Sequence, residues 1–149
     1  MNKSIVISES GVKNEFEVLV YKYANAIDGE NNAKSVRNVK SDRNDDAADA
    51  LLVDESFRKR LKETVSMMHD FGASATASGG SVTISFVVTS RWAGSEDSLL
   101  SLVKRYVLDG MLSDWFNATA PSESAIYTNR IVQDRTDIIT ELYAKGAPQ

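Results

Sequence analysis

The 149-residue sequence has no cysteine, one histidine and two prolines. Without thiols there is no disulfide scaffold, no thiolate nucleophile and no Cys-ligated metal. His69 has no second ligand or nucleophile near it in sequence and reads as a structural residue near a helix C-terminus. No apolar run approaches the roughly 18 residues a membrane helix needs. Met1 to Ile7 turns polar at Ser8, unlike a secretory leader, so a soluble, non-secreted protein is expected. A surplus of positive charge is missing too. Seventeen Lys and Arg against 21 Asp and Glu give a net charge of −4, which argues against a general nucleic-acid binder.

The motifs of chemistry are equally scarce. Gly79-Gly80 is followed by neither Lys-Ser nor Lys-Thr, so it is no phosphate cradle. Asp45, Asp46 and Asp49 lack the glycine and terminal Glu of a calcium loop and read as helix-start acids. No Ser-His-Asp or paired-carboxylate arrangement can be assembled with any specificity. The expectation is a protein that is not an enzyme, with no cofactor, no metal and no small-molecule ligand.

What is present is helical periodicity, with a hydrophobic fraction of 42% and 26% charged residues, as in an ordinary globular protein. Residues 1–149 are expected to form a single domain with one core. Residues 1–9 read as an N-terminal arm, with a short strand over Lys3 to Ser8 the lesser alternative. From about Ser10 to Ile27, Val12, Phe16, Leu19, Val20, Tyr23 and Ile27 recur at helical spacing, and Ser8 or Ser10 can cap the first turn. Residues 29–49 are rich in Asn, Asp, Lys and Ser, with Val36 and Val39 the sizeable apolar residues, and read as a flexible or partner-ordered loop. Within it, residues 47–52 could form a short helix capped by Asn44-Asp45-Asp46. Asp54 caps a second long helix, with Phe57, Leu61, Val65 and Met68 on its apolar stripe and Arg58, Lys59, Arg60 and Lys62 on a solvated face.

After Gly72 the period changes to two, and a hairpin is expected over residues 73–90 with Gly79-Gly80 as its turn. That turn would place Ala77 opposite Val82, Ala75 opposite Ile84 and Ala73 opposite Phe86, the large side chains leaning across the alanines onto a helix. The tip, Ser78 to Ser81, would be free to project. Ser95 caps a third helix whose apolar residues cover most of its circumference, leaving Ser101, Arg105, Asp109 and Ser113 as a narrow polar stripe. It is the expected core helix. Gly110 in its middle suggests a close backbone approach, and Trp115 should pack in the core. Asn117 is a plausible left-handed stop, and Pro121 opens a fourth helix running antiparallel to the third. Residues 145–149 form a short tail. The fold class is therefore mainly α, a four-helix bundle-like domain with one β-hairpin inserted between the second and third long helices.

The order of elements carries a resemblance. A helix, a polar loop, a helix begun by Asp54-Glu55, a hairpin ending in Arg91-Trp92, an apolar helix ending in Asp114-Trp115-Phe116-Asn117, then Thr119-Ala120-Pro121 and a last helix with Ala125 and Tyr127 resembles small virion proteins of tailed phages and prophages of Bacteroides-type bacteria. In layout it is similar to head-to-tail connector or adaptor proteins beneath the portal, over about Asp54 to Ala144. The resemblance implies a structural ring, most simply a dodecamer, that joins portal to tail and lines the channel through which genomic DNA passes without sequence-specific binding. The implied partners are further copies of itself, the portal protein and tail or further connector proteins, with no membrane; the implied location is the phage neck, and the host cytoplasm during assembly. The contact residues expected are Ser78, Gly79, Gly80 and Ser81 at the hairpin tip, Val36 and Val39 in the polar loop, and Tyr143, Lys145 and Pro148 near the C-terminal end. A small monomeric or dimeric binding module, a chaperone or inhibitor with one protein partner, is the alternative.

Overall fold

The computed structural model describes the backbone of residues 1–26 and 46–146, and the side chains of residues 1–23 and 50–146. The chain is mainly helical with a small antiparallel sheet. In order come β1 (Asn2–Ser8), α1 (Glu9–Ala26), α2 (Asp46–Met67), a 3-10 turn (His69–Phe71), β2 (Ser74–Ser78), β3 (Ser81–Val87), α3 (Glu96–Thr119) and α4 (Pro121–Leu142).

The N-terminal segment expected as an arm is instead a full strand. β1 pairs with β3 along its whole length, from Asn2 opposite Val87 to Ser8 opposite Ser81, so the strand order is β1-β3-β2. The reason is the alternation of Ile5 and Ile7: pairing Ile5 with Ile84 puts both, with Phe86, on one buried face. An isolated hairpin is marginal in water, and β1 supplies the third strand it lacks. The turn glycines take φ +59° and +80°, and Ala77 faces Val82 and Ala75 faces Ile84 as expected. Ala73 falls outside the ladder, which stops at Ser74 opposite Ser85. Ile84 and Phe86 are buried on the face they share with Ile5, while all five residues of β2 are exposed.

β1 runs directly into α1, capped by the Ser8 hydroxyl, which accepts from the Gly11 amide at 3.1 Å. The turn closes on the same junction, because the Glu9 amide donates to the Gly80 carbonyl at 3.0 Å. The tip is therefore tied down. Helix α2 begins at Asp46 rather than at Asp54, so the short helix considered over residues 47–52 is its first turns. Lys13 of α1 reaches both Glu9 and Asp54, tying α1 to α2.

Helix α3 is the axis. Its Ser95 cap accepts from the Ser98 amide at 3.0 Å, and it touches α1, α2, α4 and β1. Leu99, Val103, Val107 and Phe116 are fully buried, and Trp115 meets Phe16 edge-on with ring centroids 5.5 Å apart. The helix passes Asn117, which does not turn left-handed, and stops at Thr119; the single residue Ala120 then links it to Pro121 at the start of α4. The pairs Ser113–Thr128 and Arg105–Asp137 show the two helices antiparallel.

Candidate functional site

Of the polar stripe of α3, Asp109 and Ser113 are buried against α4 and the exposed Arg105 reaches across to it, while Ser101 faces solvent. Arg105 donates to Asp134 at 2.6 Å and to Asp137 at 2.5 Å, and the Ser113 hydroxyl meets that of Thr128 at 3.0 Å. Between them Asp109 lies against Asp134, both buried, and one Asp134 oxygen, Oδ2, lacks another hydrogen-bond partner. Burial, then the hydrogen bond and negative charge of Asp134, push the Asp109 carboxyl up to about 7, against the opposing pull of Arg130 and Arg105. At neutral pH the two acids can share a proton. This is chemistry enough for a general acid, yet both side chains are sealed in the helix–helix seam, so it serves the packing.

A second network joins α2 to α3. Arg60 lies across the face of Gly110 and holds Asp114 with two bonds, Nε at 3.3 Å and Nη2 at 2.7 Å, while its Nη1 donates to Glu63 at 3.1 Å. The Ser56 hydroxyl donates to Asp114 at 2.6 Å, and Tyr106 reaches Glu63 at 3.3 Å. The sequence reading put Arg60 on a solvated face; here it is buried, and the close approach at Gly110 is to this side chain, not to a backbone. Beside it Thr64, four residues on and fully buried, donates its hydroxyl to the Arg60 carbonyl at 2.9 Å. Both fall beside the Phe57–Leu61 stripe. Every donor of this network is engaged with a partner on the protein itself, so it offers no free nucleophile.

Among the described residues no group of three or more His, Asp or Glu is placed to hold a metal ion, and no helix is long and apolar enough to cross a membrane. His69 stands exposed in the 3-10 turn, 3.8 Å from Asp70, and packs into nothing. An open groove of about 550 Å³ between α2 and α4 is lined by Lys59, Lys62, Glu63, Ser66, Met67 and Arg135.

The expected contact residues separate into three groups. Ser78, Gly79, Gly80 and Ser81 sit at the turn beside the start of α1. Tyr143 and Lys145 lie at the other end of β3, and they are held rather than free. Tyr143 donates to Asp70 at 3.1 Å and meets Phe71 edge-on, while Lys145 forms a backbone bridge with Trp92. Around that bridge the Trp92 indole donates to the Glu141 carbonyl at 2.9 Å, and the Gly146 amide to the Arg91 carbonyl at 2.8 Å. Lys145 and Gly146 thus form a clasp rather than the start of a tail. Val36, Val39 and Pro148 lie outside the described residues.

Two surfaces stand out that the sequence reading did not single out. The main contacts between elements run in the order β2, β3, β1, α3, α4, with β2 resting mainly on β3 and α4 mainly on α3. On β2, Ala75 and Ala77 are exposed, although Ala75 is paired with the buried Ile84. On α4, Val132 is 65% exposed, and Ala125 and Ile139 recur with it at seven-residue intervals, with Thr128, Asn129, Arg135 and Thr136 on the turns between them. The repeat could have been read from Ile131-Val132 and Ile138-Ile139, two adjacent pairs of which a single helix face can bury only one member. Comparison with family profiles, curated proteins and solved structures returns no match, so the fold and these surfaces define the chain by themselves as a mainly helical α+β domain.

Proposed function

We propose that this protein is a structural subunit that assembles head to tail into a ring, and that the ring is a connector between the portal and the tail of a phage. The observation that supports the reading is that two unlike surfaces, the strand β2 and the outward face of α4, are both exposed. A contact between unlike surfaces is heterologous, and if its rotation closes it makes a ring. The dodecamer is the closed form the resemblance implies. The bundle-like packing of four helices with the hairpin between α2 and α3 is part of the same reading, as is the absence of a catalytic role. A net charge of −4 supports a channel that DNA traverses without adhering. Portal and tail proteins would take the two rims of the ring, in the neck of the virion.

Native mass spectrometry of the purified protein, followed by negative-stain microscopy, tests the proposal. A single closed oligomer with a central channel is the expected result. A monomer at every concentration, binding one soluble partner with defined stoichiometry, would establish the small binding module instead.

A further inference from the structure

We infer that the groove between α2 and α4 is a docking site for an acidic, amphipathic helix of a partner protein, an inference that stands whether or not copies of this chain form a ring. Lys59, Lys62 and Arg135 line the groove with Ser66 and Met67, and Glu63 is the acid among the described residues that line it. That acid is already engaged, because Arg60 donates to it at 3.1 Å and the Tyr106 hydroxyl at 3.3 Å. Lys62 and Arg135 are exposed and form no ion pair among the described residues. Lys59 lies 3.7 Å from Asp114, whose oxygens Arg60 and Ser56 already hold at 2.7 and 2.6 Å. The protein carries a net charge of −4, so three available cations on one groove reverse its field locally.

The groove has the shape for a helix. The pairs Arg60–Asp114 and Glu63–Tyr106 set α2 antiparallel to α3, and α4 is antiparallel to α3 as well, so α2 and α4 run the same way. Both rest on α3 and, among the described residues, scarcely touch each other, which leaves a trough of about 550 Å³ between them. A helix laid in such a trough is held by apolar anchors along one face and by charges on its flanks. The half-buried Met67 stands on the α2 wall, and on α4 the exposed Val132 and Ile139 come one turn before and one turn after Arg135. A phosphate backbone would gain nothing from these three and would meet the Glu63 carboxylate, so cations mixed with apolar side chains favour an acidic protein segment over nucleic acid. The same chemistry already joins helices inside the chain: Arg105 grips Asp134 and Asp137, three apart on α4, and Arg60 of α2 holds Asp114 of α3. Lys62 and Arg135 are cations of this kind without a carboxylate, and acids three or four apart on a docked helix answer them.

The probe is a synthetic peptide of about 18 residues, long enough to turn helical on binding, with leucines at helical spacing along one face and glutamates three and four apart on its flanks; a second peptide has Gln at every Glu. Binding to the full chain is followed by fluorescence anisotropy, and the site is mapped from shifts in amide NMR spectra. The shifts should centre on Lys59, Lys62, Ser66, Met67 and Arg135, and the Glu peptide should bind roughly tenfold tighter than the Gln peptide, an advantage lost as salt rises from about 50 to about 300 mM. Lys62→Glu with Arg135→Glu, checked for native circular dichroism, should abolish the preference, and the neutral pair Lys62→Gln with Arg135→Gln should remove part of it. Lys104→Glu, on the side of α3 turned away from Tyr106, should leave it unchanged. Shifts confined to another surface, equal binding of the two peptides, or no binding at about 1 mM peptide would overturn the inference. Duplex DNA bound more tightly than the Glu peptide at equal salt would assign the groove to phosphates, and an altered oligomeric state of the Lys62→Glu, Arg135→Glu variant would assign it to a second copy; either result overturns this occupant. The ring reading is decided separately, by native mass spectrometry of the unmodified protein.

Discussion

Gly110→Ala is a substitution that helix propensity alone would favour, by about 1 kcal/mol in the middle of α3. The structure reverses the sign. A methyl carbon at position 110 would stand 2.6 Å from Nε and 2.7 Å from Cγ of Arg60, and closer still to Cδ. These are not the free end of a flexible chain, because the guanidinium beyond them is fixed by two bonds to Asp114 and one to Glu63. To make room, Arg60 must leave, and Asp114 then loses its bidentate partner in a largely buried place. Breaking a buried pair of this kind costs about 3–5 kcal/mol, so after the propensity gain the net loss is about 2–4 kcal/mol. The assay is chemical denaturation followed by far-UV circular dichroism, run as a cycle with Arg60→Ala. With the arginine truncated there is nothing for the methyl to displace, and Gly110→Ala should then be neutral or stabilising by up to about 1 kcal/mol. An equal effect of Gly110→Ala in both backgrounds, or stabilisation in the native one, would refute the reasoning.

Other substitutions address the second seam, the turn and the clasp. Asp109 is neutral in the native fold up to about pH 7, whereas its unfolded value is near the ordinary 3.8. Between those limits the folded state holds the extra proton, so stability falls as pH rises from about 4 to 7 and is flat beyond. Asp109→Asn keeps a neutral donor toward Asp134 and should remove that slope, raising stability at pH 8 by about 2–4 kcal/mol in pH-dependent urea melts; an unchanged slope would count against the shared proton. Gly80→Ala forces a side chain onto a φ of +80° and should cost about 1–2 kcal/mol, with Gly80→Asn costing less, measured by thermal unfolding. Trp92→Phe deletes the indole donor to Glu141 and should cost about 1 kcal/mol, with faster hydrogen exchange at the Ala93 and Gly146 amides while the β1–β3 ladder stays protected.

The helices and the hairpin register were legible because they follow from spacing alone. Val12, Phe16 and Val20 recur at four, and a Gly-Gly turn leaves one register for Ala75 and Ala77. The third strand was not legible, because Lys3 to Ser8 is short and its partner lies about eighty positions away; alternation in six residues cannot say what it pairs with. Arg60 failed for a different reason. A basic residue in a basic run reads as solvated, and only the three-dimensional pairing with Asp114 shows why this one is buried while Arg58 and Lys59 stay exposed. The contact residues expected at the tip were chosen for polarity and position and those at the C-terminal end on the family resemblance; the tip, Tyr143 and Lys145 prove to be fastened to the body of the protein.

That fastening bears on assembly. A tip hydrogen-bonded to the first residue of α1, a C-terminal segment bridged to Trp92 and a central helix locked by two polar networks remove the freedom that the chain would otherwise surrender on binding. Ordering a long side chain at an interface costs about 0.5–1.5 kcal/mol, whereas the exposed Ala75, Ala77, Val132 and Ile139 have few rotamers to lose. In the proposed ring each subunit would make two contacts, and closure would add one more without further loss of rotational freedom. The polar seams, which confer less stability than apolar packing of the same volume, admit one register of α3 on α4 and one of α2 on α3. A shift of either helix by one turn would part Asp109 from Asp134 or Arg60 from Asp114. In the proposed ring, register fixed in this way inside each copy is what would let the angle between copies repeat.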